Sequence, residues 1–128
     1  MQNAKMVIVV RKDLSMRKGK FAAQVASASM QFLIDNNESA RGDELHVKMS
    51  HEEAIWLRGM MSRVIAIIDT ESALKDLILK AELKGVPVYP VYDSRVTPEG
   101  DKTLTCAAFG PAEGDDVSMI LGKLKVIQ

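Results

Sequence analysis

KMVIVVRKDLSMRKGKFAAQVASAS, residues 5–29, decides the fold class. Met6 to Val10 is an unbroken apolar run rich in β-branched side chains, the pattern of a strand covered on both faces, and it predicts a strand over 5–11. After a loop from Lys12 to Arg17, residues 19–34 carry Phe21, Val25, Ala28 and Phe32 at helical spacing, so this face of a helix should meet the core. Lys20, Gln24, Ser27 and Gln31 recur at the same spacing on another face. A strand leading into a helix with one polar stripe is half of a crossover unit, the building block of α/β sheets.

The strand pattern returns in RVIAIID, residues 63–69, followed by a helix over 71–84 whose Leu74, Leu77, Ile78 and Ala81 share a side and which Gly85 and Pro87 terminate. Between the two units, residues 35–43 are polar and turn-rich, and residues 44–49 form at most a short extended piece. SHEE at 50–53 has the capping-box pattern and opens a helix over about 51–61. Strands are expected over 86–92 and 103–109, separated by a nine-residue polar loop from Asp93 to Asp101, then a helix near 115–122 and an apolar tail over 124–127. The expected fold is therefore α/β: one domain over 1–128, in three layers, with a four-stranded mixed sheet and helices on both faces. Its final β-β step should be the antiparallel one.

Composition narrows the function classes. A chain of 128 residues with 47% hydrophobic and 27% charged side chains has the balance of an ordinary globular domain. Cys106 is the single cysteine, so neither an internal disulfide nor a multi-cysteine zinc site can form. No stretch approaches the ~20 apolar residues of a membrane span, and the first apolar run is too short for a secretory signal. A soluble cytoplasmic protein with no membrane partner is expected. The net charge is zero, yet residues 1–20 hold six basic side chains against Asp13 alone, a net +5, which leaves −5 on the other 108 residues. Such a basic end is either a solvated loop or a patch that meets phosphates.

His46 and His51 lie five apart in the polar segment without a metal-binding spacing, so no metal is expected. There is no GxSxG turn, and Cys106 inside a strand pattern reads as a buried thiol. Glycine-rich dinucleotide and triphosphate loops are absent too, which removes those cofactors. What remains is the start of the first helix, where free amides and Arg17, Lys18 and Lys20 would suit a phosphate. Ligands of α/β sheets bind beyond the carboxyl ends of parallel strands, so Asp93, at the end of the third strand, could face Lys20 if that strand runs parallel to the first. Otherwise Asp93 simply begins a turn.

The same residues carry a resemblance. Lys18, Gly19, Lys20, Ala22, Ala23, Gln24, Val25 and Ala26 reproduce the KGKxAAQVAHA helix of the class II (archaeal and eukaryotic type) peptidyl-tRNA hydrolases. Downstream, Asp93 and Thr97 fall at the spacing of that family's D-x-G-R-T loop, Thr103 and Thr105 at its T-x-T strand, and Phe109-Gly110-Pro111 resembles its I-G-P. Ser27 stands where the family usually has histidine, and Arg95 and Val96 where it has glycine and arginine. The resemblance implies hydrolysis of the ester joining a peptide, or an N-blocked amino acid, to the terminal ribose of tRNA, without a cofactor. It implies Lys20, Asp93, Thr97 and Thr105 as catalytic residues and Gln24, Ser27, Arg95 and Thr103 as substrate-binding residues. Arg11, Lys12, Arg17 and Lys18 would meet tRNA phosphates. The partner is then peptidyl-tRNA, with a second copy in a homodimer an open possibility. The alternative is a relative without this catalysis that binds RNA or protein.

Overall fold

The computed structural model describes residues 3–128; Met1 and Gln2, the start of the basic segment, lie outside the described residues. Along the chain run β1 (Ala4–Arg11), α1 (Lys18–Asp35), α2 (His51–Arg58), β2 (Arg63–Ile68), α3 (Glu71–Leu83), β3 (Val88–Asp93), β4 (Thr103–Glu113), α4 (Gly114–Leu121) and β5 (Lys125–Ile127). The strands form one mixed sheet in the order β3-β4-β1-β2-β5. β1 and β2 are parallel, whereas β4 is antiparallel to both β1 and β3, and β5 is antiparallel to β2. The fold is thus α/β with the expected antiparallel β3-β4 step.

The sheet has five strands where the sequence led us to expect four. The residues expected as an apolar tail supply the fifth, with Lys125, Val126 and Ile127 paired to Ile67, Ala66 and Ile65. All three are exposed, so no buried face imposed the alternation by which a strand is read. β4 also runs on past Phe109, because the sheet absorbs Gly110 and Pro111 as an irregularity opposite the step from Lys5 to Val7. Gly110 sits at φ +100°, and a Cβ there would lie 2.6 Å from the Lys5 carbonyl oxygen. Glycine is what allows the two backbones to approach and the pairing to resume.

β1 lies between β4 and β2, and its alternate side chains enter two different cores. Met6, Ile8 and Val10 pack with Ala28 and Phe32 of α1 and Trp56 of α2; Val7 and Val9 pack with Leu74 and Ala81 of α3 and Val117 and Ile120 of α4. Every residue from Met6 to Val10 is at most 3% exposed, the burial that the continuous apolar run predicts. The capping box is formed: the Glu53 backbone N–H donates to Ser50 Oγ at 3.1 Å and the Ser50 N–H to Glu53 Oε1 at 2.9 Å. The other oxygen of this buried carboxylate accepts from the Tyr89 hydroxyl at 2.8 Å, which ties α2 to β3. Among the described residues no helix is long and apolar enough to cross a membrane.

Candidate active site

β3 and β1 point the same way, each antiparallel to the β4 between them. Their carboxyl ends, Asp93 and Arg11, therefore share one edge of the sheet, and β4 begins there with Thr103. α1 starts above this edge, with Lys20 and Gln24 one turn apart on the side facing β3 and β4. Lys20 Nζ lies 3.5 Å from Asp93 Oδ2, and Gln24 Nε2 donates to the same oxygen at 2.8 Å. Two neighbouring side chains of α1 thus meet a carboxylate that lies 69 residues beyond Gln24 in the chain.

Gln24 is the main departure from the amphipathic reading of α1. Its place on the polar stripe suggests solvent, yet it is only 3% exposed. The burial is satisfied: Thr105 Oγ1 donates to Gln24 Oε1 at 2.6 Å while the Gln24 amide donates to Asp93. The ionised carboxylate can only accept, so it takes the NH2 end of the Gln24 amide and leaves the carbonyl end to accept from the Thr105 hydroxyl.

Thr105 reaches Gln24 through a β-bulge. Val91 pairs with Cys106 and the next residue, Tyr92, with Leu104, so Thr105 is the extra residue in β4. The insertion turns two consecutive side chains toward α1: Thr105 to the Gln24 side chain, and Cys106, whose Sγ donates to the Gln24 backbone carbonyl at 3.6 Å. Cys106 is the buried thiol that its strand context predicts, and burial pushes its pKa up to about 11.

Asp93 is nearly buried, at 8% exposure, and carries more donors than its own strand supplies. Arg95 closes a turn on it: its backbone N–H donates to Oδ1 at 2.7 Å, Nε to Oδ1 at 3.1 Å and Nη2 to Oδ2 at 2.9 Å. These bonds, led by the Arg95 side chain, hold the carboxyl well below the usual carboxylate range against the opposing effect of burial. A cleft of about 420 Å³ opens beside it, walled by Gln24, Ser27 and Gln31 of α1 and by Asp93, Arg95 and Lys102.

The other residues picked out in the sequence differ in what they touch. Ser27 is exposed and lines the cleft, so a side chain larger than serine would project into it. Thr97 Oγ1, in the loop after Asp93, is buried without a hydrogen-bond partner, and Thr103 Oγ1 donates to the Asp101 carbonyl at 2.9 Å rather than into the cleft. Thr105 is fully buried behind Gln24 and cannot touch a substrate directly. Its hydroxyl donates to Gln24, so its contact with the cleft runs through that side chain.

Lys12, Arg17 and Lys18 are exposed at the carboxyl edge. Arg11, the other cation expected to meet phosphates, is paired within the chain in this structure. Its guanidinium donates to the Leu104 carbonyl at 2.9 Å and pairs with Asp13 at 2.8 Å and Glu71 at 3.5 Å, a cross-brace between β1, β4 and α3. Composition could not show this, since a strand-ending arginine looks the same in sequence whether its partners are solvent or a sheet edge. Lys123 and Lys125, which carry no signal in the sequence, line a cleft with Lys12 because α4 brings the chain back to this edge, where β5 begins. Among the described residues no three of His, Cys, Asp and Glu form a group able to hold a metal ion.

Comparison with known proteins identifies the family. The sequence model of the family described as Peptidyl-tRNA hydrolase PTH2 matches residues 4–127. A protein of Methanocaldococcus jannaschii named peptidyl-tRNA hydrolase is 32% identical over 125 residues, covering 96% of this chain and 99% of its own. Relatives of the same name from Metallosphaera sedula and Saccharolobus islandicus are 33% and 34% identical, over 96% of this chain and 99% and 98% of theirs. With the match running from the first strand to the last, and with α1, β3 and β4 meeting at one carboxylate, the chain belongs to the peptidyl-tRNA hydrolase PTH2 family.

Proposed function

We propose that the cleft beside Asp93 is where this chain hydrolyses peptidyl-tRNA. The observation that carries this reading is the convergence of Lys20, Gln24 and Arg95 on one buried carboxylate at the wall of an open cleft. Water attacks the ester carbonyl, a new C–O bond forms, the bond to the ribose oxygen breaks, and a proton from the water ends on that oxygen. Asp93 orients the water and keeps the Lys20 ammonium at the site, where its charge stabilises the developing oxyanion. We assign the Thr97 hydroxyl, buried without a partner in the loop after Asp93, as a second donor to that oxyanion, a role that requires the loop to turn it inward. Gln24, set by Thr105, holds Asp93 in register, and Ser27 borders the space for the acyl or ribose group. Thr103 supports the loop through Asp101.

The same reading takes the chain as one domain over 1–128, three layers deep, with the two cores of β1 as its support. It also places the protein in the cytoplasm, without a cofactor; sedimentation would reveal a homodimer. Release of free tRNA from an N-acetyl-aminoacyl-tRNA tests the activity. Binding of the intact ester without release would favour a non-catalytic RNA-binding module instead.

Lys12, Arg17 and Lys18 contact tRNA phosphates in this account. α1 begins with no side-chain cap and no acidic residue in its first turn, so its free amides and these cations all favour an anion. The R17A and K18A variants should each lower the slope of log affinity against log salt by about one unit, similarly for different tRNAs. Filter binding at several salt concentrations checks this, and an unchanged slope returns the cluster to a solvated loop.

A further inference from the structure

Asp93 is over-subscribed. A carboxylate has about four in-plane lone-pair positions, and here five nitrogens approach it: Gln24 Nε2, Lys20 Nζ, and the backbone N, Nε and Nη2 of Arg95. No position is left for a water molecule. Lys20 and Gln24 are anchored on α1, and the Arg95 backbone amide is fixed by the turn. The Arg95 guanidinium is different, for it belongs to a side chain that is 79% exposed and reaches Asp93 from the solvent side of the cleft.

We propose that the Arg95 guanidinium is a phosphodiester-recognition group that binds Asp93 in the free protein and transfers to a backbone phosphate of the substrate's 3′ end, opening Asp93 to the attacking water. The inference rests on the hydrolase reading above and adds to it a residue that senses whether the ester is attached to a nucleotide chain. Carboxylate and phosphate offer the same forked geometry to a guanidinium, so the exchange keeps both charge-assisted hydrogen bonds. It is confined to the side chain, since the backbone amide bond to Oδ1 remains and keeps the loop in place.

Departure of the guanidinium also changes the chemistry of Asp93. The groups facing this carboxylate are Lys20 and Gln24 from α1, Arg95 from the loop, Thr103 across the β3-β4 pair and Lys102 on the cleft wall. The Arg95 side chain is the largest cause of the lowered proton affinity, so its loss makes the carboxylate more basic when a water molecule can reach it. Asp93 can then take the water's proton as the new C–O bond to the ester carbonyl forms. It returns that proton to the ribose oxygen as the old C–O bond breaks, so Asp93 ends the cycle as it began. An ester without a neighbouring phosphate leaves Arg95 on Asp93 and the site closed.

The test compares two N-acetyl-aminoacyl esters, one of adenosine and one of the dinucleotide cytidylyl-(3′→5′)-adenosine, which adds a single phosphodiester. The wild-type protein should prefer the dinucleotide ester by about tenfold or more in kcat/KM, the scale of a charge-assisted pair. In R95Q the adenosine ester should be hydrolysed faster than by wild type and the dinucleotide ester more slowly, shrinking the preference to about twofold or less. R95K, which keeps the charge but not the fork, should recover part of the preference. Equal losses on both esters in R95Q would mean that Arg95 only holds Asp93 in place, and no change on either would mean a solvated arginine; both overturn the proposal. A wild-type protein that hydrolyses neither ester overturns the hydrolase reading and the proposal with it, whereas hydrolysis with an undiminished preference in R95Q overturns the proposal alone.

Discussion

Replacing Asp93 with asparagine should lower the turnover of N-acetyl-aminoacyl-tRNA about 100-fold or more, the usual scale for loss of a group that orients or deprotonates the attacking water. The substitution keeps the shape and the oxygen that accepts from the Arg95 amide, so the turn after β3 should survive. What it removes is the charge that draws Lys20 and the Arg95 guanidinium together. tRNA affinity should be unchanged or slightly higher, because a negative charge near the phosphates is gone. Single-turnover rates beside binding isotherms check both halves. Wild-type turnover in D93N would reduce Asp93 to a turn-forming residue, which asparagine replaces well.

The T105V variant should lose stability and turnover together, through Gln24. Valine fills the same space but cannot donate, so Gln24 Oε1, buried and accepting from Thr105 at 2.6 Å, is left without that donor. An unsatisfied buried acceptor costs about 1 to 3 kcal/mol, which urea denaturation would register. The Gln24 side chain also loses the bond that anchors its carbonyl end, and misplacing the donor to Asp93 should lower kcat about tenfold with little change in KM. T105S retains the hydroxyl and should recover most of kcat while keeping a small packing defect. If T105V lost stability but kept its kcat, the bulge would matter to the fold and not to the chemistry.

These two residues also mark how far the sequence could be read. Asp93 was legible: two apolar runs and the crossovers between them imply co-directed strands, and co-directed strands bring Arg11 and Asp93 to one edge. The polar stripe of α1 likewise pointed at Lys20 and Gln24. The route from Thr105 to Gln24 was not legible, because it depends on where β4 slips by one residue against β3, and β4 is buried on both faces, so it has no alternation to mark the slip. The pairing of Arg11 was hidden for a related reason. Its neighbours Asp13, Leu104 and Glu71 come from three elements, so only the assembled sheet shows that the charge is already matched. β5 escaped notice because a three-residue strand with both faces exposed has no pattern to read.

The residue substitutions at 27, 95 and 96 are explained unevenly. Ser27 leaves room at the cleft wall, and Arg95 returns a guanidinium to the loop where it meets the carboxylate directly. Nothing in the structure explains Val96.

The central claim is that the reacting ester sits between Lys20, Asp93 and the loop carrying Thr97. The most direct measurement is an NMR titration of the ¹⁵N-labelled protein with an amide-linked N-acetyl-aminoacyl dinucleotide, which occupies the site but resists hydrolysis. The account predicts saturable shifts centred on the amides of Lys20, Gln24, Ser27, Asp93, Arg95 and Thr97, with the α3 face unmoved. Shifts centred elsewhere, with the Asp93 loop unchanged at saturation, would contradict it.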